Sequence, residues 1–133
     1  MKKGILVTFI LFSFLVGNAF GGTPNIVGEW NGEGSAIFPD GTVIELNIYG
    51  EILAQHNGLA TGYFLFSFAE NPAIEFQADF TGYIDKSNNL KGVMSSEGYG
   101  TGIADAKWSG NKIEGVALDL GDLSTTHFTV FKE

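Results

Sequence analysis

The chain contains no cysteine and no arginine among its 133 residues. Without cysteine there is no disulfide, no thiolate metal ligand and no thiol nucleophile, so the fold must rest on packing and backbone hydrogen bonds. Without arginine the planar fork that clamps carboxylates and phosphates through paired hydrogen bonds is missing. Cations are scarce altogether, since all seven are lysines, against 15 Asp and Glu. Such a charge balance repels phosphate backbones and argues against a nucleic-acid partner.

Catalytic and metal signatures are absent as well. The two histidines, His56 and His127, share no ligand spacing with each other or with an acid, so no zinc site is expected. Asp119-Leu120-Gly121-Asp122 offers hard oxygens but lacks the fixed acid spacing of a calcium loop and reads as a hairpin turn. No serine sits in a G-x-S-x-G elbow, and no glycine loop lies between a strand and a helix to cradle phosphate. No cofactor is implied.

One segment stands apart from the rest. Residues 1–22 begin with Lys2 and Lys3, continue through the uncharged apolar run Gly4 to Val16, and end in small residues, Gly17, Ala19, Gly21 and Gly22. These are the three parts of a secretory signal peptide. The apolar run is about 13 residues, short of the roughly 20 that a spanning helix needs. Cleavage is expected near residues 19–22, leaving residues 23–133 as one exported domain, periplasmic or extracellular. Removing two lysines leaves five against 15 carboxylates, a net charge of about −10.

From Ile26 onward, apolar and polar residues alternate with period two, and turn residues break the alternation at regular intervals. Ile26–Phe38 sets Trp30, Ala36 and Phe38 against Glu29, Asn31 and Glu33. Pro39-Asp40-Gly41 turns the chain into Thr42–Tyr49, with Ile44, Leu46 and Ile48 inward. Glu51–Gln55 fits either an extension of that strand or a short helical turn, and His56-Asn57-Gly58 reads as a turn. Leu59–Ala69 aligns Phe64, Phe66 and Phe68, and after Asn71-Pro72, Ile74–Ile84 aligns Phe76, Ala78 and Phe80. Leu90–Ser96, Thr101–Trp108, Lys112–Leu120 and Leu123–Phe131 complete the set. Ser87–Val93 and Ser109–Val116 resemble each other, and two hairpins with the same turn chemistry are expected there. The facing of Asp105, Glu114 and Asp119 is open.

Eight strands of about 7 to 11 residues with short loops and no helical period predict an all-β domain. An up-and-down barrel of eight antiparallel strands is expected, because closure removes exposed edges. A two-sheet sandwich is the alternative. The glycines inside strands favour the barrel, since glycine permits tight curvature.

At Gly28-Glu29-Trp30 the chain resembles the calycins, the lipocalin and avidin-like barrels, whose first strand opens with glycine, any residue, tryptophan. The resemblance implies a ligand pocket at the barrel mouth and a tryptophan, here Trp30, closing or lining the floor. On this reading the domain is non-catalytic and binds a small apolar ligand, with Trp30, Phe64, Phe66, Phe76 and Trp108 lining the cavity. One alternative is a cell-envelope interaction module with a packed core, using Tyr49, Tyr63, Tyr83 and Val93 on its outer face, as a homo-oligomer or with a protein partner. The other is a small barrel isomerase or cyclase, which needs His127 or Asp105 to point inward.

Overall fold

The computed structural model describes residues 23–97 and 100–133; the leader expected over residues 1–22 lies outside them. Eight strands follow in order: β1 (Gly28–Ile37), β2 (Val43–His56), β3 (Leu59–Phe68), β4 (Glu75–Ile84), β5 (Asn89–Ser96), β6 (Gly100–Ser109), β7 (Lys112–Asp119) and β8 (Thr125–Lys132). Each pairs antiparallel with its neighbour, and β8 pairs back onto β1 from Trp30↔Lys132 to Ile37↔Thr125. The result is a closed eight-stranded barrel, and the β1–β8 ladder removes the edges that a sandwich would leave.

The expected alternation sets the inside. Trp30, Ala36, Leu46, Ile48, Ala78, Phe80 and Val130 are buried. The outside carries Glu29, Glu33, Glu45, Asp79, Asp105 and Lys107 on the intervening positions, interspersed with exposed apolar residues such as Ile37, Val43, Val93 and Ile103. Among the described residues no helix is long and apolar enough to cross a membrane.

One open expectation is settled and two change. The ambiguous stretch Glu51–Gln55 is strand, so β2 runs unbroken to His56 and absorbs a register shift between Ile52 and Ala54. A bulge of this kind bends a strand more sharply than regular pleating allows, which closing a narrow barrel requires. The two similar hairpins use different turns. Ile84 to Leu90 spans a five-residue connection with Asn88 at φ 70°, whereas Ser109↔Lys112 encloses only Gly110-Asn111, with Gly110 at φ 65°. Asp85 explains the first: its carboxylate accepts from the backbone N–H of Ser87 at 2.8 Å and of Asn89 at 3.0 Å, holding an Asx-type loop. Finally, Leu123 is a turn residue at φ 60°, so β8 starts only at Thr125.

The two ends of the barrel differ. At the end where β1 begins, residues preceding it fold across the opening. Ile26 and Ile84 have no exposed surface and Trp30 retains 1 %. Gln55 ties this segment down with both ends of its amide: Oε1 accepts from the Ile26 N–H at 2.8 Å and Nε2 donates to the Pro24 carbonyl at 2.6 Å. The buried Trp30 indole N–H donates to the Ile26 carbonyl at 2.9 Å. The backbone N–H and carbonyl of Ile26 thus find partners where water does not reach. At the other end, inward-facing Phe38, Ile44, Phe66, Phe68 and Phe128 are only partly buried.

Candidate ligand-binding site

The partial burial of those inward aromatics has a direct cause: they face a cavity of about 330 Å³ that opens at the end carrying the β1–β2, β3–β4, β5–β6 and β7–β8 loops. Its floor is Trp30, Ile52, Leu90 and Ile113, all buried.

One side of the wall is aromatic. Phe64, Phe66 and Phe68 project from alternate positions of β3, and Phe76 and Phe80 from β4. Phe66 and Phe76 are cross-strand partners with ring centroids 5.3 Å apart and planes within 19°, a stacked pair. Phe64 meets Phe80 edge-on at 5.6 Å and 90°. Both arrangements suit the ring quadrupole. Phe80 can lie flat against the wall because its neighbours Gly82 and Gly92 carry no side chain; a Cβ at either position would overlap its ring. Phe64 lies over Gly50 in the same way.

The opposite side is small. Counting by two, the inward positions of β6 include Gly102, Ala104 and Ala106, and those of β7 include Gly115 and Ala117. Alanines there leave unfilled the space that the phenylalanines across the barrel do not reach. This asymmetry makes the cavity.

Four of the five residues expected at the site, Trp30, Phe64, Phe66 and Phe76, line the cavity together. Trp108 does not. It faces inward from β6 at the closed end, level with its cross-strand partner Ile113, and packs on the buried core. The cavity instead has residues that the aromatic pattern passed over, above all the alanines of β6 and β7 and a polar rim of Glu75, Ser96, Thr101, Asp119, Asp122 and Ser124. Asp119 was legible in principle, because it shares a parity with Ile113, Gly115 and Ala117.

The remaining titratable candidates stand outside. Asp105 is exposed on the outer face of β6. His127 also points out, its side chain 63 % exposed, with Nε2 3.3 Å from Glu114 Oε2. His56 ends β2 in solvent. Among the described residues no group of three or more His, Asp or Glu could hold a metal ion. On the outer wall Glu29 and Glu51 are direct cross-strand neighbours. Each carboxylate accepts a tyrosine hydroxyl, Tyr49 to Glu29 at 2.7 Å and Tyr63 to Glu51 at 2.9 Å. These hydrogen bonds, with burial adding to them, hold both phenols above their ordinary value and keep them neutral.

The inventory is that of a receptacle: an apolar hollow with a floor, one mouth and a polar rim. Searches of family models and of curated proteins return no match to this chain.

Proposed function

We propose that this is an exported, non-catalytic, calycin-like barrel that binds one small apolar ligand in its cavity. The observation that carries the reading is the hollow itself, about 330 Å³ of apolar-walled space with a sealed floor. That lies at the lower end of ligand-pocket sizes, and at roughly 30 Å³ per water-sized atom it has room for about a dozen non-hydrogen atoms. Trp30, Phe64, Phe66 and Phe76 supply the contact surface; Trp108 packs on the core at the closed end.

Two features favour the calycin-like part. Trp30 occupies the floor, the place that the glycine–any–tryptophan resemblance implies. The Lys132 ammonium, near the end of the last strand, lies 5.9 Å from the Trp30 ring centroid, where those barrels pack an arginine on that tryptophan. Export rests on the leader pattern in residues 1–22.

The test is titration of the purified protein with a fluorescent naphthalene-type probe, using Ala104→Phe as the filled variant. Saturable one-to-one binding is expected in the native protein and its loss in Ala104→Phe, with far-UV circular dichroism unchanged. Binding that survives filling, or no binding in either protein, would sink the proposal.

A second reading, an envelope interaction module, draws on Val93, Ile103, Val116 and Leu118, exposed on the outer faces of β5, β6 and β7. It requires concentration-dependent association, readable by analytical ultracentrifugation. The isomerase or cyclase reading loses the residues it was built on, since His127 and Asp105 both face solvent.

A further inference from the structure

The rings of the aromatic wall are not equally placed to meet an occupant. Phe66 and Phe76 stack on each other at 5.3 Å, and Phe80 is only 3 % exposed. Phe64 differs. A Cβ on Gly50, its cross-strand partner, would overlap Cδ1 and Cε1 of the ring and crowd Cζ, so one face of Phe64 lies against the Gly50 backbone. Phe80 meets the same ring at 90° and 5.6 Å, bracing it from the β4 side. Phe64 is nonetheless only half-buried and lines the cavity, so the face turned away from Gly50 borders the hollow.

The far wall is low. In a closed ring of eight strands β3 stands across from β7, and β2 from β6. Between floor and rim the side chains that β6 and β7 turn inward are alanines, Ala104 and Ala106 on β6 and Ala117 on β7. A methyl barely rises above the backbone, so a ring face on one side looks across at an even surface on the other. A slot of that form gives contact on both sides only to a flat molecule, and dispersion rewards contact on both sides. Charge narrows the class further. No lysine lines the cavity, and the five in the described residues, Lys86, Lys91, Lys107, Lys112 and Lys132, belong to the closed-end turns or the strand residues beside them. The charged residues of the rim, Glu75, Asp119 and Asp122, are acidic. An anionic head would lose water at this mouth with no cation to pair with.

We infer that the occupant is an uncharged, planar aromatic molecule about the size of two fused rings, stacked on the inner face of Phe64 with its other face against the alanines of β6 and β7. Offset stacking suits the quadrupoles of both rings. Two fused rings fall within the roughly dozen non-hydrogen atoms that about 330 Å³ accommodates. Gly50 is then a positioning residue: by carrying no side chain it keeps the Phe64 ring back against the wall and the slot open. This rests on the ligand-binding reading and names the ligand class for the same cavity.

2-Naphthol and decahydro-2-naphthol share one fused skeleton and one hydroxyl and differ in flatness and aromaticity, whereas 2-naphthoate keeps the flat rings and is anionic at about pH 7. Calorimetric titration of the purified protein should give 2-naphthol roughly two- to tenfold tighter binding than decahydro-2-naphthol, the worth of one stacked ring pair beyond area burial. 2-Naphthoate should bind at least about tenfold more weakly than 2-naphthol. In Phe64→Leu, which keeps an apolar side chain but has no ring face, the preference for 2-naphthol over its saturated analogue should disappear while both alcohols still bind. Ala104→Phe should abolish binding of all three. Decahydro-2-naphthol or 2-naphthoate binding as tightly as 2-naphthol overturns the inference and leaves the cavity reading intact, and this comparison in the native protein decides even where Phe64→Leu fails to fold. A preference that survives in folded Phe64→Leu overturns it too. Binding retained in Ala104→Phe places the probes outside the cavity and, like no binding by any of the three, removes both readings.

Discussion

Gln55→Ala should cost about 2–4 kcal/mol of folding stability, although Gln55 lies neither in the cavity nor in the buried core. The side chain makes two hydrogen bonds, to the Ile26 N–H at 2.8 Å and to the Pro24 carbonyl at 2.6 Å. They are unequal in consequence. Pro24 retains access to solvent, so water replaces its partner at a loss of roughly 1 kcal/mol or less. Ile26 has no exposed surface, so its N–H is stranded, at a cost of about 1–3 kcal/mol. If the segment instead detaches to reach water, it forfeits burial of the Ile26 side chain, about 1.5–3 kcal/mol, and leaves the Trp30 indole N–H without its acceptor. Either route reaches the same range. Urea unfolding followed by circular dichroism reads the loss directly; with a slope of about 1–3 kcal/mol per molar, the midpoint should fall by roughly 1–2 M. Leu53→Ala, two residues away but more than half exposed, is the control and should stay within about 0.5 kcal/mol. Gln55→Glu separates the two bonds. It still accepts from Ile26 but cannot donate to Pro24 while ionised, so part of the loss should appear at pH 7 and recover as the carboxyl is protonated. A midpoint shift in Gln55→Ala no larger than that of Leu53→Ala would refute the reasoning and show that the plug is not part of the cooperative unit.

Gly92→Val should lower the thermal midpoint by an amount equivalent to about 1–3 kcal/mol or more, because a side chain there displaces the Phe80 ring and overlaps the facing backbone; differential scanning calorimetry reads it, and an unchanged midpoint would mean that the aromatic wall repacks freely. Asp85 is held below its ordinary value of 3.8, first by the Asn89 backbone N–H and further by the Asn89 side chain, the Ser87 N–H and the Lys107 charge. A depressed folded value contributes stability that is present above about pH 3.8 and is lost as the pH falls through the folded value, so Asp85→Asn should flatten the acid limb of a stability–pH profile; an identical limb in both proteins removes the assignment. Ala117→Leu, on the small-residue wall, should raise ligand-free stability by up to about 2 kcal/mol, from three added carbon groups, and weaken uptake of the naphthalene probe; a less stable variant with intact binding would show that no space lies beside Ala117.

The barrel was legible because inward and outward residues alternate almost without exception from Trp30 to Phe131, and short turns left no room for helical crossovers. The turns were less so. Ser87–Val93 and Ser109–Val116 look alike in sequence, yet Asp85 reaches forward to cap one loop and nothing equivalent precedes the other. Trp108 shares the inward parity of the cavity residues, but parity fixes the face of a residue and not its height along the axis. Height depends on strand stagger, and the stagger puts Trp108 at the closed end, beside Ile113 and the buried core.

Whether the barrel is hollow could not be read from its aromatics, because phenylalanine fills a core and lines a pocket equally well. The deciding residues are the ones facing them. Alanine and glycine on β6 and β7 sit opposite phenylalanine on β3 and β4, and neither set alone tells hollow from solid. Each alanine enlarged to leucine on that wall would bury three more carbon groups, worth up to about 2 kcal/mol. A chain with no disulfide has strong reason to recover that energy by enlarging one alanine, as Ala117→Leu would. Keeping the space instead makes sense if an occupant restores the contacts. On the proposed function, an occupant would stabilise the fold by mass action and complete a core that the sequence leaves open on one side. The charges fit the same account: the described lysines gather at the closed end, and the described charges at the open end are all acidic.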